Sequence, residues 1–196
     1  ASQENQDISI IAQNLEIPWE IIILPNGDIL TTERPGRLIK ISPKTQVISE
    51  IQGVRHVGEG GLLGMALHPD FENNNYIYLY YTTQENNLTN KVSRFVLSEN
   101  SLSQETVIID NIPASQNHDG GRIAFGPDGM LYITTGDSSQ ASLAQDTNSL
   151  AGKILRINSD GSIPDDNPFG NAIYSYGHRN PQGLAWDNDG RLWATE

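Results

Sequence analysis

The sequence predicts an all-β fold assembled from repeated four-stranded antiparallel units, the blades of a β-propeller. About three units and the start of another fit in its 196 residues. Three observations carry this expectation. A polar loop, an apolar strand, a tight turn and a second strand recur along the chain. The apolar runs are short and rich in β-branched and aromatic residues. No stretch shows the sustained 3.6-residue apolar period of a long helix.

The recurrence is plainest at 113–137, PASQNHDGGRIAFGPDGMLYITTGD, where Pro127-Asp128-Gly129 separates two apolar runs. An Asp-Gly or Asn-Gly pair between such runs is the strongest short-range hairpin signal. The same frame returns with Pro25-Asn26-Gly27, with Pro69-Asp70 and with Asn188-Asp189-Gly190. Spacings on the order of 50 residues mean stacked or radial units, because one small sheet cannot bury its own apolar face.

The approximate units are 8–55, 56–112, 113–176 and a truncated 177–196. Residues 1–7 are polar and read as disordered, and Ile8–Ala12 reads as a strand. Leu15–Trp19 leads into Glu20–Leu24, which is too short and too β-branched for a helix. Asp28–Glu33, Arg37–Ile41 and Gln46–Glu50 complete four strands, the last two joined at Ser42-Pro43-Lys44. The second unit opens on HVGEGG at 56–61. Its glycines Gly58, Gly60, Gly61 and Gly64 imply either tight packing or close approach of a ligand. Strands follow at Leu62–Leu67, Tyr76–Thr82, Lys91–Leu97 and Glu105–Asp110, with a polar excursion at Gln84–Asn90.

In the third unit the strands are Ile123–Phe125, Met130–Thr135, Gly152–Asn158 and Ile173–Tyr176. Ser138–Thr147 reads as an insertion lying over one face, and Pro164–Asn167 as a rigid acidic loop. The hairpin at Gln182–Thr195 opens a further unit, and the chain stops inside its second strand. It therefore reads as a piece of a longer protein, whose uncovered blade edges favour association with another copy.

A net charge of −12 gives no basic surface to match phosphates, which argues against nucleic acid as a partner. The absence of cysteine excludes disulfides and thiolate metal sites. No run approaches the roughly 18 apolar residues of a membrane span. There is no Gly-x-Gly-x-x-Gly before a helix and no P-loop. His118, His178, Asp119 and Asp137 lack the compact spacing of a zinc motif.

The repeat frame selects candidate site residues. Glu16, Glu59, His118 and Arg179 stand at matching distances ahead of the turn residues Pro25, Pro69, Pro127 and Asn188. Equivalent loops of successive blades enter from one face, so these side chains should ring the mouth of a central channel. A histidine, an arginine and a carboxylate around one cavity form a usable reactive set. The structural alternatives are a surface His118, an Arg179 satisfying carbonyls, a His178 donating to a carbonyl and an Asn180 capping a turn. His56 is less suggestive, and His68 belongs with its turn.

GEGGLLGMALHPDF at 58–71, NHDGGRIAFGPDGMLYITTGD at 117–137, GKILRINSDGSIPDDNPF at 152–169 and YGHRNPQGLAWDNDGRLWATE at 176–196 resemble the soluble quinoprotein sugar dehydrogenases, the glucose/sorbosone dehydrogenase family. The resemblance covers nearly the whole chain after residue 10. It implies a six-bladed β-propeller and an exported enzyme, periplasmic or extracellular. Such an enzyme oxidises the anomeric carbon of aldoses with pyrroloquinoline quinone (PQQ), over a calcium ion. It implies that His118 is the catalytic base, that Arg179 stands at the quinone oxygen and that Asn180 contacts the cofactor. Glu59 falls where the best-known glucose enzyme has a glutamine, so this carboxylate must be paired, protonated or turned away from an anionic quinone. Asn117 stands where that enzyme has an aspartate, and Asp119 follows the histidine instead. Calcium ligands and the clamp on the cofactor's carboxylates would lie beyond Glu196, so the fragment alone is expected to be inactive. The alternatives are a non-catalytic propeller serving as a binding or self-assembling module, and a propeller hydrolase or lactonase.

Overall fold

A computed structural model describes residues 9–42 and 44–196. The disorder expected at 1–7, the first residue of the Ile8–Ala12 strand and Pro43 of the expected 42–44 turn lie outside the described residues. Four small antiparallel sheets follow one another along the chain. The first holds β1 (Pro18–Ile23), β2 (Ile29–Glu33), β3 (Arg37–Ile41) and β4 (Thr45–Glu50) in chain order. The second holds β5 (Leu62–Leu67), β6 (Tyr76–Gln84), β7 (Leu88–Ser98) and β8 (Ser101–Pro113). The third holds β9 (Ile123–Phe125), β10 (Leu131–Thr135), β11 (Lys153–Ile157) and β12 (Ile173–Tyr176). The fourth consists of β13 (Gly183–Trp186) and β14 (Leu192–Thr195). The first strands pack together, β1 against β5 and β5 against β9, as the inner strands of a partial β-propeller do.

The turns that close the first hairpins share one backbone pattern. Gly27, Gly129 and Gly190 donate to the carbonyls of Leu24, Gly126 and Asp187 at 2.8, 2.9 and 3.0 Å. Their φ angles are 88°, 77° and 77°, in the left-handed region that glycine enters without steric cost. An Asn or Asp side chain then accepts from the backbone two residues on, as Asn26 does from Asp28 at 3.1 Å and Asp128 from Met130 at 3.1 Å. In the second sheet the turn is lengthened by the one-turn helix α1 (Phe71–Asn74), and His68 Nδ1 accepts from the Asp70 amide at 3.0 Å.

Period-two alternation places both faces of β6 in a core. Ile77, Leu79 and Tyr81 join Leu62, Met65, Leu30 and Leu38 on the side of the first sheet. Tyr78 and Tyr80 join Leu63, Ile123, Leu131 and Ile133 on the side of the third. A sheet buried on both faces needs neighbours on both sides, which is why the sheets succeed one another as blades. The next interface is begun by Tyr132 and Trp186, edge to face with ring centres 5.1 Å apart. Near the axis Arg122 crosses between blades. It pairs with Glu20 on β1, stacks over Trp19 at 4.3 Å and donates to the Gln182 carbonyl at 2.9 Å.

Two expectations are corrected. Residues 9–12 form no strand, and Ile10 and Ile11 are exposed, because no neighbouring strand offers them a ladder among the described residues. The polar excursion shrinks to a turn at 85–87, since β6 and β7 pair from Tyr76–Val96 out to Gln84–Leu88. The insertion after β10 contains the short helix α2 (Ala141–Gln145).

Candidate active site

The loops that precede β5, β9 and β13 meet at one end of the sheets, together with the segment that follows β10. Glycine makes this meeting possible. A Cβ on Gly58 would stand 1.9 Å from the Gln116 carbonyl oxygen, and one on Gly64 would stand 2.1 Å from that of Gly121. A Cβ on Gly136 would stand 1.8 Å from the oxygen of His118. The glycine-rich loop is packed tightly against the loop before β9.

His118 lies at the centre of the cluster, with a left-handed backbone at φ 64°. Its Nδ1 stands 2.8 Å from Asp137 Oδ1, and Asp137 is only 4% exposed. Asp137 Oδ1 also accepts from the Ser139 amide at 2.8 Å, while the Asp137 amide donates to the Arg179 carbonyl at 2.8 Å. A carboxylate on Nδ1 sets the tautomer, with the proton on Nδ1, and leaves Nε2 able to take a proton from a substrate. The His118 amide donates to Glu59 Oε2 at 2.8 Å. Asn180 Nδ2 donates to the same oxygen at 3.2 Å, and Asn180 Oδ1 accepts from the Gly120 amide at 2.9 Å.

Glu59, His118 and Asn180 are therefore in direct contact, and Arg179 joins them through its main chain. The guanidinium of Arg179 is exposed and has no hydrogen-bond partner among the described residues. Glu196 accepts from the amides of Arg179 and Asn180, and its Oε2 stands 3.3 Å from His178 Nδ1. Burial opposes ionisation of Glu196, yet the Arg179 amide and His178 hold its carboxyl below the usual value. The His178 ring meets Ser175 Oγ at 2.8 Å rather than a carbonyl, and Asn180 bridges loops rather than capping a turn.

Glu16 departs from the common frame. Its amide donates to Glu33 Oε1 at 2.6 Å and its carboxylate pairs with Arg37 at 2.8 Å, within its own blade. Asp119, adjacent to His118 in sequence, turns away from the imidazole. It is 1% exposed, with Oδ1 accepting from Asn90 Nδ2 and from the Ser115 amide, both at 3.2 Å. Its Oδ2 has no partner, and burial pushes its carboxyl up. The sequence pattern did not single out Asp137 as the partner of His118. The available signal was its place directly after the second strand of the same hairpin. Among the described residues no three His, Asp or Glu side chains stand together as a metal site, and no helix is long and apolar enough to cross a membrane.

The sequence model of the Glucose / Sorbosone dehydrogenase family matches residues 15–196. The chain belongs to this family. Quinoprotein glucose dehydrogenase B of Acinetobacter calcoaceticus is 34% identical, over all of this chain and 49% of that protein. Aldose sugar dehydrogenase YliI of Escherichia coli is 35% identical, over all of this chain and 57% of its own length. The solved PQQ-bound aldose sugar dehydrogenase of Streptomyces coelicolor superposes with a TM-score of 0.91 at 41% identity, covering 96% of this chain and 59% of that one. The chain spans about half the length of the curated relatives it matches.

Proposed function

We propose that the protein carrying this chain is a PQQ-dependent dehydrogenase that oxidises the anomeric C1 hydroxyl of an aldose to the lactone. The observation that supports this most directly is the buried Asp137 carboxylate on Nδ1 of a part-exposed His118. His118 Nε2 takes the C1 hydroxyl proton as the C1–H bond is cleaved and C1 becomes a carbonyl. Asp137 keeps the ring in the productive tautomer and stabilises the imidazolium that forms. The quinone supplies the acceptor for the C1 hydride when it is bound.

The donor set on the rim fits such a group. PQQ carries several carboxylates, and Arg179, whose main-chain carbonyl accepts from the Asp137 amide, is exposed and has no partner for its guanidinium among the described residues. Arg179 would hold this anion and oppose negative charge developing on it. Glu59, whose Oε2 accepts from two N–H groups, is turned into the protein's own loops. Among the described residues no three acidic or histidine side chains are grouped to hold calcium. The activity is proposed for the whole protein, exported to the periplasm or cell exterior, with these 196 residues alone turning over poorly.

The test is reconstitution of the full-length protein with PQQ and calcium, followed by assay with aldoses and an artificial electron acceptor. Lactone formation is expected, with a loss of roughly 10²–10⁴-fold in kcat for His118→Ala. Turnover that survives this substitution would remove His118 as the base. Failure of the full-length protein on every aldose would remove the enzyme assignment.

A further inference from the structure

We propose that Glu59 and Asn180 are positioning residues, which hold the main chain of the His118 segment in the left-handed conformation that aims the imidazole. The proposal rests on the reading of His118 as the base, and it assigns these two side chains a role in cofactor-free protein. His118 and Gly120 both have φ of 64°. Glycine takes this conformation freely, whereas a histidine holds it only where its surroundings over-determine it.

The two side chains supply that constraint. Neither the His118 nor the Gly120 amide is spent on a ladder. The first donates to Glu59 Oε2 at 2.8 Å and the second to Asn180 Oδ1 at 2.9 Å. Asn180 Nδ2 also reaches Glu59 Oε2 at 3.2 Å, so the two acceptors brace each other. Glu59 is anchored in turn, because its own amide donates to the Gln116 carbonyl at 2.8 Å, two residues before His118 in the same loop. A side chain from the loop before β5 and one from the loop before β13 thus close around three consecutive residues of the loop before β9. Asp137 fixes the ring at Nδ1, and Glu59 with Asn180 fixes the backbone from which the ring projects. What the site asks of position 59 is an acceptor oxygen rather than a charge, and a glutamine can provide one.

Amide hydrogen exchange on the cofactor-free protein, in its naturally expressed length, provides the test. Glu59→Ala should accelerate exchange at the His118 amide by more than about tenfold, with core amides such as Ile133 and Leu155 unchanged. Asn180→Ala should do the same at Gly120, and Glu59→Gln should restore protection at His118. In the reconstituted enzyme Glu59→Ala should lower kcat roughly ten- to a hundredfold, with KM for the aldose within about twofold. Glu59→Gln should recover about tenfold of that loss. Native exchange at both amides in the two alanine variants would overturn the proposal. So would a Glu59→Gln protein that exchanges and turns over like Glu59→Ala, because charge would then be the requirement. If the exchange pattern holds but the wild-type protein oxidises no aldose, the brace stands and the dehydrogenase reading falls.

Discussion

At the turn end of the sheets, Gly27, Gly129 and Gly190 have nothing within 4 Å of where a Cβ would stand. They are glycine because their own φ is positive. At the rim end, Gly64 and Gly136 have no such angle and are glycine because a carbonyl of another segment occupies the place of a side chain, as one also does at Gly58. One end is determined residue by residue by local backbone geometry. The other is determined by how blades press together, and there His118 acquires Asp137, Glu59 and Asn180. A substitution at the turn end should act locally, and one at the rim should act through the site.

The strongest way to break this contrast is Gly136→Ala. Its Cβ would have to displace the His118 carbonyl, so a cost of about 4 kcal/mol or more is expected in urea unfolding. A stable variant that keeps the His118–Asp137 contact would refute the packing argument. Asp137→Asn probes the chemistry of the same end with little change in shape. A fall in kcat on the order of 10²–10⁴-fold is expected, with thermal stability shifted far less. Equal losses of stability and turnover would show that Asp137 is only a structural strut.

Asp119→Asn sharpens the contrast through pH. Burial raises the native Asp119 carboxyl above its ordinary value of 3.8, although the Asn90 and Ser115 bonds oppose the shift. As pH climbs past that value the unfolded chain gives up its proton first. Asp119 therefore costs the native state stability progressively until its own raised value is passed. Relative to the wild type, the asparagine variant should gain stability as pH rises from about 4 to about 7. Urea midpoints at the two pH values provide the check, and a pH-independent difference would count against a buried ionised carboxylate. The smallest effect belongs to the turn end. Gly129→Ala should cost only about 1 kcal/mol, the strain of one left-handed alanine, and leave KM and kcat unchanged.

The blades themselves were legible because their signals are local. The short apolar, aromatic run at Tyr76–Thr82 marks a strand, and Pro127-Asp128-Gly129 marks its own turn without reference to any other segment. The shared frame was legible too, in that Glu59, His118 and Arg179 precede equivalent strands and arrive at one rim. The same frame misplaced Glu16, since an arginine within its own blade, Arg37, takes the carboxylate first. It also gave no reason to prefer Asp137 over the adjacent Asp119 as the partner of the histidine. The left-handed φ of His118 helps place the two side chains apart, and periodicity carries no trace of that angle.

By itself the chain determined where strands begin and turn, because a glycine's φ and a two-residue alternation are properties of a few neighbouring residues. Only the tertiary structure decided which acid serves His118, what Glu59 holds and why the rim glycines cannot be replaced. Those outcomes depend on contacts between loops of separate blades, made at distances where a fraction of an ångström decides whether two groups bond or clash.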